Sequence, residues 1–248
     1  FYYNQIKQLF YQIDQTTKKK ALTQLLNHYQ PVSSVIFCNT KALCRELNDY
    51  LKHQGFSSLA LHGDLEQRER DQVLVQFSNK SCSILVATDV AARGLDIKDL
   101  AAVINYDLFP QPDVYIHRIG RTGRAGKEGL ALSLYSKREE YKLEAIKEFQ
   151  GKKLQREQIT SLPEPSEASR LPPMVTLCIS GGKKQKVRPG DILGALTGEA
   201  GIPGQNVGKI DIFVHFAYVA IKRNSAKKAL ERLNNGKIKG RFFKVRQI

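Results

Sequence analysis

The stretch CSILVATDVAARGLDI, residues 82–97, places a short apolar run directly before a polar loop. The run CSILVA has the length and the aliphatic content of a strand that is buried on both faces. The loop that follows holds two carboxylates, Asp89 and Asp96, on either side of Arg93 and Gly94. In open α/β sheets, ligand-binding residues collect in loops at the carboxyl ends of the strands. The stretch therefore predicts one strand of such a sheet, with candidate binding residues at its end.

Outward from this stretch, short apolar runs alternate with amphipathic segments. Strands are predicted at 31–38, 57–62, 82–87, 101–107 and 129–135, and helices at 18–30, 40–54, 65–77 and 137–150. Thr40 is placed to cap the second helix, and Gly151 is placed to end the last one. Regular alternation of this kind indicates an α/β fold with a parallel sheet and right-handed crossovers.

A proline-rich segment, ITSLPEPSEASRLPP at 159–173, separates two domains. It contains four of the nine prolines, which remove backbone donors and favour extended structure. The predicted organisation is therefore a first domain at 1–157, a linker at 158–173 and a second domain at 174–248.

The second domain has the pattern of a small α+β module. Strands are predicted at 175–180, twice within 208–223, and at 242–247, with helices at 191–201 and 225–236. The βαββαβ order in about 75 residues is that of a ferredoxin-like, RNA-recognition (RRM) fold.

Charge is concentrated in this module. The chain has a net charge of +15, of which residues 172–248 hold 15 Lys and Arg against 4 Asp and Glu, giving +11. Such an excess is the electrostatic footprint of nucleic-acid binding, although a solvated lysine surface would produce the same balance.

Other features limit the class of protein. Because neither a run of eighteen apolar residues nor a signal-peptide pattern occurs, we expect a cytoplasmic protein. The four cysteines form no CxxC pair, so we interpret them as small buried hydrophobes.

The loop HRIGRTGRAG, residues 117–126, holds three arginines spaced three apart. In a helical turn this spacing would bring Arg118, Arg121 and Arg124 to one side, and Gly120 and Gly123 would allow close approach. Arginine suits phosphate oxygens, so the loop is a candidate for contact with a transferring phosphoryl group. A basic turn that holds a nucleic-acid backbone is the alternative.

Four motifs in series resemble the second RecA-like domain of DEAD-box RNA helicases: VIFCNT (35–40), LHGDLEQRER (61–70), ATDVAARGLD (87–96) and HRIGRTGR (117–124). The resemblance implies an RNA-stimulated ATPase that unwinds short RNA duplexes. It assigns Arg121 and Arg124 as arginine fingers on the ATP γ-phosphate, Asp96 and Gly94 to nucleotide binding, and His117 and Arg118 to closure against a partner domain. It assigns the RNA backbone contacts of the helicase core to Thr40, Gly63, Arg70 and Thr88.

The sequence contains neither a GxxxxGK[ST] phosphate loop nor an Asp-Glu pair for magnesium. In the family these belong to an N-terminal RecA-like domain. We therefore expect this domain to be a partner of the chain, to hold the ligands of Mg²⁺ and to be needed for ATP turnover, so that the chain alone is inactive.

Within the RRM-like module, two cation clusters are the expected RNA contacts: Lys183, Lys184, Lys186 and Arg188, then Lys237, Lys239 and Arg241. Alternation along the third strand places Phe216 and Tyr218 on one face as candidate stacking residues. Thr176 takes the usual aromatic position of the first strand, so the stacking platform is incomplete.

GGKKQKVRPGDILGALTGEAG and GKIKG resemble the C-terminal domain of the bacterial DbpA subfamily of these helicases. This resemblance implies binding to a 23S rRNA hairpin of the peptidyl-transferase region and a role in large-subunit assembly. Two other functions remain open at this point, a DNA helicase or remodelling motor and a non-catalytic RNA-binding protein.

Overall fold

The computed structural model describes residues 5–93, 97, 99–123, 128–162, 171–199 and 201–248. The chain forms two compact units. The first contains residues 1–66 and 83–170, and the second contains residues 67–82 and 171–248. Part of the expected linker, 163–170, lies outside the described residues. The helix that follows residue 66 is grouped with the second unit, which the sequence did not predict.

The first 160 residues contain the elements that the alternation predicted, together with several that it missed. The strands are β1 (Ile6–Gln12), β2 (Ser34–Phe37), β3 (Ser58–Leu61), β4 (Ile84–Ala87), β5 (Ala102–Asn105), β6 (Gly129–Tyr135) and β7 (Gln155–Glu157). The helices are α1 (Lys18–Tyr29), α2 (Lys41–His53), α3 (Gln67–Ser78), α4 (Asp89–Ala92), α5 (Pro112–Ile119) and α6 (Glu140–Gln150). The missed elements are β1, β7, α4 and α5.

Among the described residues of the first unit, seven strands form one sheet in the order β3-β4-β2-β5-β6-β1-β7. Every neighbouring pair in it is parallel, as expected of a RecA-like sheet. The central strands β2, β4 and β5 are buried along their whole length. This burial explains their uniformly apolar sequences, because helices cover both faces of a parallel sheet.

Helix ends follow the local sequence. The Thr40 hydroxyl accepts a hydrogen bond from the Leu43 N–H at 3.2 Å at the start of α2. Gly151 ends α6 in the left-handed region, with φ of 64°. Both predicted caps are therefore confirmed.

The second unit contains the predicted βαββαβ module. Its elements are β8 (Met174–Ile179), α7 (Pro189–Thr197), β9 (Val207–Ile212), β10 (Ala217–Lys222), α8 (Ala226–Asn235) and β11 (Val245–Gln247). The strands form an antiparallel sheet in the order β11-β8-β10-β9. Helix α7 ends at Thr197, four residues earlier than predicted, since Gly198 follows it as the C-cap. The last strand is also shorter than the predicted 242–247.

The two faces of β10 have different surroundings. Ala217, Val219 and Ile221 lie in the core of the module, as alternation predicted. The other face carries Tyr218, which packs in a cluster with Val75 of α3. Helix α3 therefore covers this face of the sheet within the second unit.

Two further findings concern the chain as described. All four cysteines are buried and free, which confirms their interpretation as small core residues. In the part of the chain that the structure describes, no helix is both long and apolar enough to cross a membrane.

Candidate functional site

A cleft of about 1030 Å³ opens in the first unit beside the carboxyl ends of the parallel strands. Helices α4 and α5, which follow β4 and β5, supply half of the residues that line it. The two loops that the sequence singled out therefore meet at one edge of the sheet, as predicted. The polar side chains that line the cleft are Asp89, Arg93, Asp113, His117, Arg118, Arg121 and Thr122.

Arg118 lies at the back of this cleft and is only 2% exposed. Its Nε donates to Asp89 Oδ1 at 2.7 Å, and one terminal nitrogen donates to Asp89 Oδ2 at 2.5 Å. The same nitrogen donates to Asn39 Oδ1 at 3.2 Å. The other donates to Asn105 Oδ1 at 3.2 Å and to the Asp107 carbonyl oxygen at 2.6 Å. These five bonds use all five guanidinium donors.

The partners of Arg118 come from the ends of neighbouring strands. Asn39 follows β2, Asp107 follows β5, and Asp89 begins the helix after β4. The network continues outward, since the Asp107 carboxylate accepts a bond from the Asn39 N–H at 3.1 Å and pairs with buried Lys18 at 3.0 Å. This network was not predicted from the sequence. The polar residues that directly follow adjacent predicted strands could have indicated it.

Arg121 lies beyond the end of α5, in the turn that leads to Gly123. It is half-buried and lines the cleft. Arg118 and Arg121 both line the cleft, and the Arg121 N–H donates to the Arg118 carbonyl oxygen at 3.1 Å in the turn after α5. Because Arg124 lies outside the described residues, the prediction that all three arginines share one side of a helical turn stays a prediction. The backbone of the turn is held by a bond from the Leu100 N–H to the Arg121 carbonyl oxygen, at 3.2 Å.

Gly123 fixes the far side of this turn. Its φ of 68° lies in the left-handed region, and a Cβ at this position would lie 2.7 Å from the Ile6 side chain. A Cβ on Gly129 would lie 2.5 Å from the Gly123 nitrogen. The predicted close approach at Gly123 is therefore to the protein's own backbone.

The other residues assigned to ATP binding and to domain closure are His117, Gly94, Asp96 and Arg124. His117 is exposed on the wall of the cleft. Gly94, Asp96 and Arg124 lie outside the described residues. The predicted ATP contacts of these three thus stay predictions.

The residues assigned to RNA in the helicase core fall into both units. Thr40, Gly63 and Thr88 follow the neighbouring strands β2, β3 and β4 at one edge of the first sheet. Thr40 and Gly63 are exposed, whereas Thr88 is 7% exposed. Arg70 belongs to α3 in the second unit and is half-buried. The structure brings the first three to a common edge.

The first cation cluster of the RRM-like module is an ordered loop. The N–H groups of Lys183 and Lys184 donate to the carbonyl oxygens of Phe213 and Val214, at 2.8 and 3.0 Å. A Cβ on Gly182 would lie 2.3 Å from the same Phe213 oxygen, so this close approach requires glycine. Four exposed or half-exposed cations are held on this loop: Lys183, Lys184, Lys186 and Arg188.

The structure joins the second cluster to the first. Lys239 Nζ donates to the Lys186 carbonyl oxygen at 2.7 Å. Lys237, Lys239 and Arg241 are all exposed. Clusters that are fifty residues apart in sequence therefore form one basic surface, defined by Lys183, Lys184, Lys186, Arg188, Lys237, Lys239 and Arg241.

Of the two candidate stacking residues, Tyr218 is buried and Phe216 is half-buried. Tyr218 is 1% exposed, and burial raises the pKa of its hydroxyl. Its oxygen lies 3.4 Å from Gln72 Nε2 of α3. The guanidinium of Arg68, also on α3, lies 4.1 Å from the centre of the Phe216 ring. In this structure α3 therefore occupies the face that carries Tyr218, and the contact of Tyr218 and Phe216 with RNA bases stays a prediction.

The packing of α3 on this face also explains why threonine, rather than an aromatic residue, stands at position 176. This side chain is fully buried, with its hydroxyl 3.1 Å from Asn79 Nδ2 and 2.6 Å from Ser81 Oγ. An aromatic side chain there would displace the segment after α3.

Two family models match the chain. The helicase conserved C-terminal domain matches residues 17–126, and the DbpA RNA binding domain matches residues 176–247. Each match covers one of the two regions that the sequence separated.

Among curated proteins, the chain is 49% identical over 243 residues to ATP-dependent RNA helicase DbpA of Escherichia coli. It is 33% identical over 257 residues to the protein of the same name from Bacillus subtilis. The alignments cover 98% and 94% of this chain and 53% of each relative. The chain thus spans about half the length of these relatives.

Solved structures show the same relationship. The C-terminal domain of the DEAD-box protein Dbp5 is 38% identical, with a TM-score of 0.59, over 63% of this chain and 92% of that one. E. coli DEAD-box protein SrmB is 32% identical, with a TM-score of 0.59, over 66% of this chain and 98% of that one. The chain therefore belongs to the DEAD-box family, and it joins the helicase conserved C-terminal domain to a DbpA RNA-binding domain.

Proposed function

We propose that the chain is the C-terminal part of an ATP-dependent RNA helicase that unwinds short duplexes. The observation that carries this proposal is the cleft beside the carboxyl ends of the parallel strands, in which Arg121 lines the wall while Arg118 is neutralised by Asp89. Arg121 and Arg93 line the cleft together with Asp113 and His117, and the planar guanidinium groups of arginine suit phosphate oxygens.

The residues of the cleft fit ATP. A volume of about 1030 Å³ exceeds what a nucleotide needs, and its lining combines apolar side chains with arginines. When bound, ATP supplies a phosphoanhydride bond whose hydrolysis drives the helicase cycle. On our proposal Arg121 and Arg124 stabilise charge on the γ-phosphate, and Asp96 and Gly94 hold the nucleoside.

Mg²⁺ belongs to the proposed partner domain. Among the described residues, no three His, Cys, Asp or Glu side chains are grouped so as to hold a metal ion. We propose that the Mg²⁺ ligands lie on an N-terminal RecA-like domain, which we also propose as the surface that closes onto His117.

Arg118 enters the proposal as a positioning residue. Since its five donors are used inside the first unit, it would act on closure by holding α5, and hence His117 and Arg121, in place. Direct contact with the partner domain would require it to give up these bonds.

For RNA we propose two sets of contacts. Thr40, Gly63, Arg70 and Thr88 would lie along the sugar-phosphate backbone in the helicase core. The basic surface would bind a hairpin of 23S rRNA in the peptidyl-transferase region, and so direct the enzyme to large ribosomal subunit precursors in the cytoplasm. Because phosphate contacts position and base contacts specify, the cations alone account for affinity rather than for sequence preference.

Two measurements test the proposal. The first compares binding of the whole chain to the ribosomal hairpin and to a scrambled RNA over a salt series. We expect tighter binding to the hairpin at every salt concentration, with affinity for both RNAs falling as salt rises. Equal affinities throughout would contradict specific targeting.

The second measures ATP turnover by the chain alone and by the chain joined to a first RecA-like domain. We expect RNA-stimulated turnover only in the second case. Appreciable turnover by the chain alone would contradict the assignment of the phosphate loop and Mg²⁺ ligands to the partner domain.

A further inference from the structure

We propose that Phe242 is a base-stacking residue, on whose exposed ring an unpaired RNA base lies while the basic surface holds the flanking phosphates. This inference rests on the proposed RNA-binding function of the module. In this proposal the contact with the base lies on the loop before β11, rather than on the face of the sheet where RRM modules ordinarily stack bases.

Phe242 stands out by its exposure. Phe242 is 64% exposed, whereas the neighbouring Phe243 packs against the core of the module. A Cβ on Gly181 would lie 2.3 Å from the Phe243 ring, so Phe243 rests directly on the backbone at the end of β8. Phe243 thus packs against the module, whereas the neighbouring Phe242 stays exposed.

The loop that carries Phe242 is fixed. Ile238 is fully buried, and the backbone groups of Ile238 and Arg241 exchange two hydrogen bonds of 2.8 and 3.1 Å. Between them, Lys239 and Gly240 have φ values of 53° and 76°, as in a type I′ two-residue turn. Anchors on both sides of Phe242 therefore reduce the ordering cost of binding through its ring.

The charge around this ring suits RNA. Lys237 Nζ lies 5.4 Å from the centre of the Phe242 ring, and Lys239 joins the loop to the first cation cluster. No acidic residue occurs in the sequence between 178 and 190 or between 232 and 248. An aromatic ring among cations matches a base that is flanked by phosphates, which is the usual composition of single-strand binding sites.

The other aromatic candidates of the module are occupied. Tyr218 is buried under α3, and Phe216 is half-buried and packs in the cluster that Tyr218 forms with Val75 of α3. Helix α3 thus closes the face on which RRM modules ordinarily stack bases. Within the described part of the second unit, Phe242 offers the most exposed aromatic ring.

A single exposed apolar side chain is common on protein surfaces and can have no function. The chain provides a matched control for this possibility. Phe149, on α6 in the first unit, is 55% exposed and has the same chemistry, and it is not among the residues that define the basic surface or the RNA contacts proposed above.

The test measures binding of the whole chain, and of its Phe242→Ala and Phe149→Ala variants, to the ribosomal hairpin over a salt series. Loss of one stacked base weakens binding by about tenfold or more, so we expect that loss for Phe242→Ala and no change for Phe149→Ala. The salt dependence of Phe242→Ala should match that of the unsubstituted chain, because no phosphate contact is removed.

A second variant reports the contact directly. The sequence contains no tryptophan, so Phe242→Trp introduces a single indole that can be excited apart from the ten tyrosines and keeps the capacity to stack. We expect retained affinity and quenching of its fluorescence by the hairpin. If the chain binds the hairpin but Phe242→Ala binds equally well, or the tryptophan is not quenched, the inference is wrong and the proposed function stands. If the unsubstituted chain does not bind the hairpin, both fail.

Discussion

The carboxylate of Asp89 and the guanidinium of Arg118 form a two-point ion pair, with N–O distances of 2.7 and 2.5 Å. The pair joins the helix after β4 to the helix after β5, and it lies beneath the cleft wall that carries Arg121. An arginine predicted to face a partner domain is therefore part of the first unit's interior.

We expect Arg118→Ala to lower the free energy of unfolding by about 3 kcal/mol or more, because it leaves the buried polar groups around it without their donor. Arg93→Ala, which alters an exposed arginine of the same cleft, should change it by less than about 0.5 kcal/mol. Urea unfolding of the whole chain measures both. Equal, small effects would show that the Arg118 network contributes little to stability.

We expect Gly123→Ala to destabilise the first unit by about 1–3 kcal/mol. Alanine would have to adopt the positive φ of this position, and its Cβ would lie 2.7 Å from the Ile6 side chain. Gly63→Ala is the control, since nothing lies within 4 Å of the Cβ it would add. Thermal unfolding of the two variants compares them. A melting temperature of Gly123→Ala equal to that of Gly63→Ala would contradict the packing described for this turn.

The carboxyl group of Glu139, at the start of α6, makes the stability of the first unit depend on pH. Burial would raise the pKa of the Glu139 carboxyl, but bonds from Lys142 Nζ at 2.8 Å and the Ser136 N–H at 2.9 Å outweigh it. The pKa is held below its ordinary value of 4.5. Because the folded-state pKa is the lower one, the stabilisation is present above about pH 4.5 and is lost as the pH falls through the folded-state pKa.

We therefore expect Glu139→Gln to cost about 1 kcal/mol at pH 7 and less in acid. Glu148→Gln, at an exposed position of the same helix, should show no such difference between the two conditions. Urea unfolding at pH 7 and pH 3.5 makes the comparison. A cost for Glu139→Gln that is the same at both pH values would contradict the proposed ion pair and cap.

The sequence predicted the parallel sheet well because strands buried on both faces are uniformly apolar. It missed β1, whose apolar residues had no preceding element to set a pattern, and β7, which is three polar residues at the edge of the sheet. It also missed α4 and α5, since four and eight residues are too short for a helical period to show.

The sequence identified many residues of the candidate site, but it did not predict how their side chains are arranged. Spacing suggested that Arg118 and Arg121 point the same way, and both line the cleft, but spacing could not show that Arg118 is buried against Asp89 while Arg121 is only half-buried. Alternation on β10 correctly predicted which side chains share a face. It could not predict that α3, about 140 residues earlier in the chain, lies on that face, because nothing local encodes such a contact.

The central claim is a division of work, in which the Arg121 cleft serves ATP and the basic surface serves RNA. The most direct test uses the chain joined to a first RecA-like domain and measures ATP turnover and hairpin affinity for two variants. Arg121→Ala should lose ATP turnover by 10³-fold or more, on the order of what an arginine finger contributes, and keep its hairpin affinity. Combined Lys186→Ala and Lys239→Ala should weaken hairpin binding and keep the turnover reached at saturating RNA. A comparable loss of both properties in either variant would contradict the account.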